Sequence, residues 1–169
     1  MNKEEIEKRI DEIQQELNSL KEQLNEPEKK TGWEKPIYGQ EYWFIDSEGY
    51  VWKCVWSENG KDVMRYNCGN CFTSEKLAAN VSAYKSLDSR IRRRIAEICE
   101  PWKWRTNNSR KWFFAWNHNT NHMMIDWVES RIEYAKWYFD TREHAEQIIE
   151  EFEDELTWYF TEFKDRMDV

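Results

Sequence analysis

Along residues 1–30 the large apolar positions are Ile6, Ile10, Ile13, Leu17, Leu20 and Leu24, spaced 4, 3, 4, 3, 4. Every position between them is polar or charged, and no Gly or Pro interrupts the run before Pro27. This is a heptad seam, with Ile10, Leu17 and Leu24 at a and Ile6, Ile13 and Leu20 at d. The spacing predicts an amphipathic helix ended by Pro27. A stripe this narrow cannot hold so short a helix in water by itself. The six residues are therefore read as an oligomerisation seam, giving a homo-oligomer through residues 1–30. In a parallel pair Glu16 at g would face Lys21 at e. Ile and Leu are mixed at both core positions and no buried Asn selects a dimer, so the oligomer number stays open.

Beyond residue 30 the pattern changes to short alternating runs followed by helical stripes. Tyr42–Ile45 and Tyr50–Trp56 read as strands around the turn Asp46-Ser47-Glu48-Gly49. Asn59-Gly60 reads as a hairpin signal leading to a third strand over Val63–Tyr66. Thr73 is expected to cap a helix, with Phe72 stapled onto Leu77. A second helix, from about Ser86 to Glu100, ends at Pro101. Trp112–Trp116 and His122–Val128 read as strands around a polar turn, Ile132–Tyr138 as another, and Asp140 as the cap of a last helix with Glu143 completing a capping box. That helix carries a wide stripe from Ala145 to Phe163, of the kind that covers a sheet.

The two halves resemble one another. Trp33 precedes Trp43-Phe44 by ten residues, and Trp102 precedes Trp112-Phe113 by ten. Trp56 matches Trp127, Cys71-Phe72-Thr73-Ser74 lines up with Tyr138-Phe139-Asp140-Thr141, Ala78 matches Ala145, and Val81 matches Ile148. Such self-similarity points to an internal duplication. The expected fold class is α+β: a coiled-coil helix (1–30), a βββα repeat (31–85), a basic helical linker (86–110) and a second βββα repeat (111–169), with antiparallel sheets covered by helices.

Composition narrows the class. In 169 residues there are eleven Trp, aromatics make up 16%, and mean hydropathy is −1.01. An aromatic content this high excludes general disorder, and no apolar run reaches the roughly 18 residues of a membrane span. The chain opens Met-Asn-Lys-Glu-Glu-Ile, with no apolar leader and no lipidation motif. The expected setting is a bacterial cytoplasm, with reduced thiols and no membrane partner.

Trp33, Pro36, Gly39, Tyr42, Trp43, Phe44, Ile45, Gly49, Val51 and Trp56, followed by Gly69-Asn70-x-Phe72-Thr73 with Glu75 and Leu77-Ala78, form a pattern of core and turn residues. It is completed by Tyr138, Phe139, Thr141 and Ala145. Over roughly residues 33–165 it resembles small proteins of unknown function from phages and prophages of Gram-positive bacteria. His144 departs from that pattern, which has Glu there, and the interval Arg90–Arg110 is unusually basic. The resemblance implies a phage accessory protein and brings no catalytic residues. By analogy with accessory genes of this size, it implies a binder that blocks a host enzyme, of which anti-CRISPR proteins are one kind.

Cys68-Gly69-Asn70-Cys71 is a single C-x-x-C knuckle. Cys54, Cys99, His118, His122 and His144 are also available, but zinc usually takes two paired knuckles. No metal or cofactor is therefore expected. His118 and His122 fall in a polar turn, and neither H-E-x-x-H, G-x-S-x-G nor a Walker loop occurs, so the chain reads as non-catalytic. Charge is more informative. The net charge is −8. Residues 85–111 nevertheless hold nine Lys and Arg against Asp88, Glu97 and Glu100, and residues 142–169 hold ten acids against Arg142, Lys164 and Arg166.

Two binding surfaces follow. An acidic face of Glu150, Glu151, Asp154 and Glu155 with Trp158 would occupy the basic groove of a host protein or ribonucleoprotein such as a defence complex. Alternatively Arg92, Arg93, Arg94, Trp102, Lys103, Trp104 and Arg105 would hold RNA or single-stranded DNA by stacking and charge. A third reading is a scaffold whose coil sets the oligomer. The basic and acidic segments could also pair with each other.

Overall fold

A computed structural model describes residues 9–10, 12–17, 31–100, 110–129 and 137–163. The fold is mixed α+β, with helices and two small antiparallel two-stranded sheets. Residues Met1–Thr31 form one compact unit and Gly32–Val169 another. In the first unit Arg9–Ile10 and Glu12–Leu17 are helical, and Ile10, Ile13 and Leu17 are 59%, 54% and 43% exposed. Ile6, Leu20 and Leu24 lie outside the described residues.

The second unit opens with the hairpin β1 (Glu41–Ile45) and β2 (Val51–Val55). Its turn is built by Asp46, whose carboxylate accepts from the N–H groups of Glu48 and Tyr50 and from Trp52 Nε1. Gly49 supplies the positive φ (92°) that the turn requires. The register Tyr42↔Cys54 and Phe44↔Trp52 puts these four side chains on one face, with Trp43, Ile45 and Val51 on the other.

The segment expected as a third strand is a helix, α1 (Gly60–Asn67). Asn59 is its N-cap, with Oδ1 accepting from the N–H groups of Lys61 and Asp62. Asn favours tight turns and helix caps alike. The helix prevails because Asp62 in the first turn becomes the centre of a buried network. Asp62 is 1% exposed, and it accepts from Tyr42 Oη (2.7 Å), Ser57 N–H (2.8 Å), Ser57 Oγ (2.9 Å) and Asn59 Nδ2 (3.0 Å). Arg65, one turn on, donates to Tyr42 Oη at 2.7 Å and lies 3.4 Å over the Phe44 ring. This polar network and the buried Tyr42, Trp56 and Cys71 fasten α1 to the sheet.

Helix α2 (Glu75–Ile98) follows and runs for 24 residues, about 36 Å. The boundary expected between residues 85 and 86 falls inside it, so the separate linker helix is its C-terminal half. Neither Gly nor Pro occurs within the segment to end the helix. Its first turns place Leu77, Ala78 and Val81 against Ile45, Phe72 and Phe163, while Leu87 and Ile91 enter a second core with Phe114, Phe139 and Ile148. The helix therefore spans both cores.

The second hairpin joins β3 (Lys111–Asn117) to β4 (His122–Val128), in register from Lys111↔Val128 to Asn117↔His122. Asn117 Oδ1 accepts from Asn119 and Thr120 N–H, and Asn121 takes φ 55° in the turn. Of the strand expected over Ile132–Tyr138, residues 132–136 lie outside the described set. Helices α3 (Arg142–Glu151) and α4 (Glu153–Trp158) and a π-helical turn, Tyr159–Phe163, are the last elements of the described residues. The expected single last helix is broken at Phe152, whose ψ of 23° departs from helical geometry. The break and the π turn carry Phe163 into the first core, where it stacks on Trp158 and Tyr84 at 5.2 and 5.0 Å.

Corresponding contacts recur in the two halves. Trp43 and Phe72 exchange two backbone hydrogen bonds of 2.8 and 2.9 Å, and Trp112 and Phe139 exchange two of 2.9 and 2.8 Å. Two residues after each Phe, a hydroxyl caps a helix: Ser74 accepts from Leu77 N–H and Thr141 from His144 N–H. Thr73 and Asp140, expected as the caps, each sit one residue too early. Thr73 Oγ1 donates to Glu34 instead, and Asp140 binds Glu100 and His144. Ala78 and Ala145 are fully buried, as nearly are Val81 and Ile148. Trp56 and Trp127 are not equivalent. Trp43 pairs with Lys53 while Trp112 pairs with Trp127, and Trp56 is 1% exposed against 38% for Trp127. Among the described residues each half thus has a two-stranded hairpin and one bridging Phe; in the first half the expected third strand is α1, and in the second most of it lies outside the described residues.

Candidate functional site

The acidic C-terminal helices and the basic half of α2 face each other. Arg90 donates to both carboxylate oxygens of Glu155, through Nη1 at 3.0 Å and through Nη2, and its guanidinium lies 5.4 Å from the Phe152 ring centroid. Arg94 forks onto Glu151, with Nε 2.9 Å from Oε2 and Nη2 2.8 Å from Oε1, and also reaches Glu97. The hydrogen bond from Arg94, with a smaller one from Gln147, holds the Glu151 carboxyl below the usual carboxylate range. Bidentate pairing of this kind fixes orientation as well as charge. Glu151 and Glu155 are thus engaged within the chain rather than presented with the rest of the expected acidic face. Trp158 is half-buried in its stack with Phe163.

Glu150 and Asp154 are exposed, and so is Glu153. Among the described residues none of the three carboxylates has a side-chain partner. Glu150 and Glu153 border a groove of about 570 Å³ between β4 and α3. Met123, Ile125 and Ile149 give it an apolar lining, and Arg142 and His122 lie at its margin. Arg142 Nε is 2.8 Å from Glu146 and partly neutralises it. A second hollow of about 280 Å³ follows the break at Phe152, from Glu150 to Glu155. The result is an apolar strip edged by unpaired negative charge, suited to a cationic amphipathic surface.

Among the described residues of the basic stretch, five of the cations are engaged within the chain. Besides Arg90 and Arg94, Arg92 pairs with Asp88 at 2.9 Å, Arg110 lies 4.3 Å over the Trp127 ring, and buried Lys111 donates to the Glu129 carbonyl. Arg93 is exposed. Trp102, Lys103, Trp104 and Arg105 lie outside the described residues.

The thiols separate into different environments. Cys68 is exposed at the end of α1, and its Sγ lies 3.3 Å from the Arg65 carbonyl. Cys71 is buried beside Tyr42 and Trp56, and burial pushes its thiol up to about 11. His118 and His122 are exposed in and beside the β3–β4 turn. Cys99, at the end of α2, meets Asp140 and His144 at the start of α3. Their ligating atoms all lie within 4.8 Å of one another. Asp140 Oδ1 is 2.6 Å from His144 Nδ1, and Oδ2 accepts from Glu100 N–H at 2.9 Å. Burial works to raise the Asp140 pKa, but the hydrogen bonds from Glu100, His144 and Cys99 outweigh it and hold the carboxyl below its ordinary value. Burial pushes the Cys99 thiol up to about 12. The C-x-x-C pattern points to Cys68 and Cys71, whereas the described cluster of ligand-type side chains gathers around Cys99. The available signal was the Asp140-x-x-x-His144 spacing, which places both side chains over one helix start.

No family model matches the chain, and neither a curated protein nor a solved structure matches it. Among the described residues, no helix is long and apolar enough to cross a membrane.

Proposed function

We propose that this chain is a non-catalytic binding protein of phage origin that occludes a basic surface of a host macromolecule, a defence nuclease of the RNA-guided type being the target class. The observation that carries this reading is the set of Glu150, Glu153 and Asp154 carboxylates, which have no side-chain partner among the described residues and lie beside the Met123–Ile125–Ile149 strip. Nucleic-acid enzymes present Lys and Arg where phosphate binds, and a carboxylate-edged groove competes for those cations. Arg90, Arg92 and Arg94 are already paired, which weakens the alternative reading of a nucleic-acid binder. We read the two hairpin–Phe–helix units as copies of one ancestral unit that forms the rigid support.

The test is gel filtration of the full chain with purified RNA-guided nuclease complexes, together with a cleavage assay. Co-elution with loss of cleavage supports the proposal. Separate elution with full cleavage against the complexes of the host strain overturns it.

The exposed Ile10, Ile13 and Leu17 support the coiled-coil reading, because burying such a seam needs a partner helix. Light scattering of the full chain should give a multiple of 20.9 kDa. A chain lacking residues 1–30 should give a monomer. A monomeric full-length chain refutes the seam.

A further inference from the structure

The geometry points to a zinc site formed by Cys99, Asp140 and His144, with water as the fourth ligand. It is separate from the binding role proposed above and stands without it. The donor set is one sulfur, one ring nitrogen and one carboxylate oxygen. Calcium and magnesium take oxygen ligands and would make no use of a thiol, whereas zinc accepts all three donors in one tetrahedral shell.

The three ligating atoms already converge within 4.8 Å. Zinc bonds of about 2.0–2.3 Å bring tetrahedral ligands to roughly 3.3–3.7 Å from one another. The Asp140–His144 contact of 2.6 Å must therefore open by somewhat less than about an ångström. Side-chain rotations provide motions of that size without moving either helix.

Several features favour this site over a chance cluster. Glu100 N–H holds Asp140 Oδ2, which fixes the carboxylate plane and leaves Oδ1 towards His144, as an outer-shell partner should. The ligands come from the end of α2 and the start of α3, two positions set by the second core, to which Cys99 itself belongs. Access remains on one side: the side chains of His144 and Asp140 are 29% and 16% exposed, while Cys99 is 6% exposed. Binding displaces the Cys99 thiol proton to water and leaves a zinc–thiolate bond. The imidazole coordinates through Nδ1 with its proton on Nε2. Asp140 is already ionised, so no oxidant or reductant is involved. The bound ion would clamp the long helix to the start of the acidic helices and stabilise the second half of the molecule.

Cobalt is the probe. The full chain, stripped with a chelator, is titrated with Co²⁺ under reducing conditions. The expected result is one equivalent bound, with a near-ultraviolet sulfur-to-cobalt charge-transfer band and the intense visible bands of a tetrahedral ion. The charge-transfer band should vanish in Cys99→Ser. Affinity should fall at least tenfold in His144→Gln, a variant at a partly exposed position that keeps the fold testable if Cys99→Ser does not. Cys68→Ser should bind as the parent does, and at equal zinc the melting temperature of the parent should rise more than that of His144→Gln. The proposal is overturned if the parent gives no thiolate band, if the band survives in Cys99→Ser, or if it disappears in Cys68→Ser.

Discussion

Asp62→Ala should destabilise the protein by about 3–5 kcal/mol, close to the limit a domain of this size tolerates. The carboxylate is 1% exposed and gathers the Tyr42 hydroxyl, the Ser57 N–H and hydroxyl, and the Asn59 amide. Removing it leaves buried donors without an acceptor, each at about 1–3 kcal/mol before relaxation, and deprives Arg65 of the anion that its bond to Tyr42 reaches. The loss also removes the acidic residue in the first turn of α1. Urea unfolding followed by Trp fluorescence measures the effect. A change under 1 kcal/mol would show that the network is dispensable.

The same group makes a pH prediction. Burial works to raise the Asp62 pKa, but the hydrogen bonds from Ser57 and Tyr42 outweigh it, so the folded value lies below the ordinary one. A carboxylate depressed on folding stabilises the native state above its unfolded pKa of about 3.9 and loses that contribution as pH falls through the folded value. Stability should therefore decline below about pH 4 in the parent, and less steeply in Asp62→Asn.

Phe72→Ala and Phe139→Ala should each cost about 3–5 kcal/mol, and by similar amounts. Both rings are fully buried, and both residues bridge a hairpin to a helix through paired backbone bonds with Trp43 and Trp112. Phe72 meets Trp33 edge-on at 4.9 Å, and Phe139 stacks on Phe114 at 5.4 Å. The prediction is strict because it treats the two positions as one role played twice. Calorimetry that finds one substitution near neutral and the other severe would contradict that equivalence.

Those two bridges were legible in the sequence because the aromatic pairs and the small residues Ala78 and Ala145 recur at matched spacing, and packing needs the same shapes at both places. The strand His122–Val128 was legible because alternation and a polar turn agree there. Asn59-Gly60 misled because Asn serves hairpins and helix caps equally. The deciding fact, burial of Asp62 against Tyr42, is a contact across twenty residues. The caps were misplaced by one residue because Thr73-Ser74 and Asp140-Thr141 each offer two adjacent capping side chains. Local pattern does not show that the first of each pair is drawn away by Glu34 or Glu100.

The acidic run read as one face because charge counting ignores what lies opposite. The pairing of Glu151 and Glu155 with Arg94 and Arg90 depends on α2 continuing past residue 85 and reaching the last helices. Cys99 and His144 stood among the available ligands, but their meeting with Asp140 was not legible, because the thiol precedes the other two by some forty residues and only the fold brings it to them.

The acidic run divides into carboxylates paired within the chain and carboxylates without a partner among the described residues, and charge reversal at the latter tests that division most directly. The measurement is the affinity of a co-eluting nuclease complex for the parent and for Glu150→Lys/Glu153→Lys. The expected result is a loss of about tenfold or more in the double variant, with the parent's affinity falling as salt rises. Equal affinity of the two chains, indifferent to salt, would contradict it.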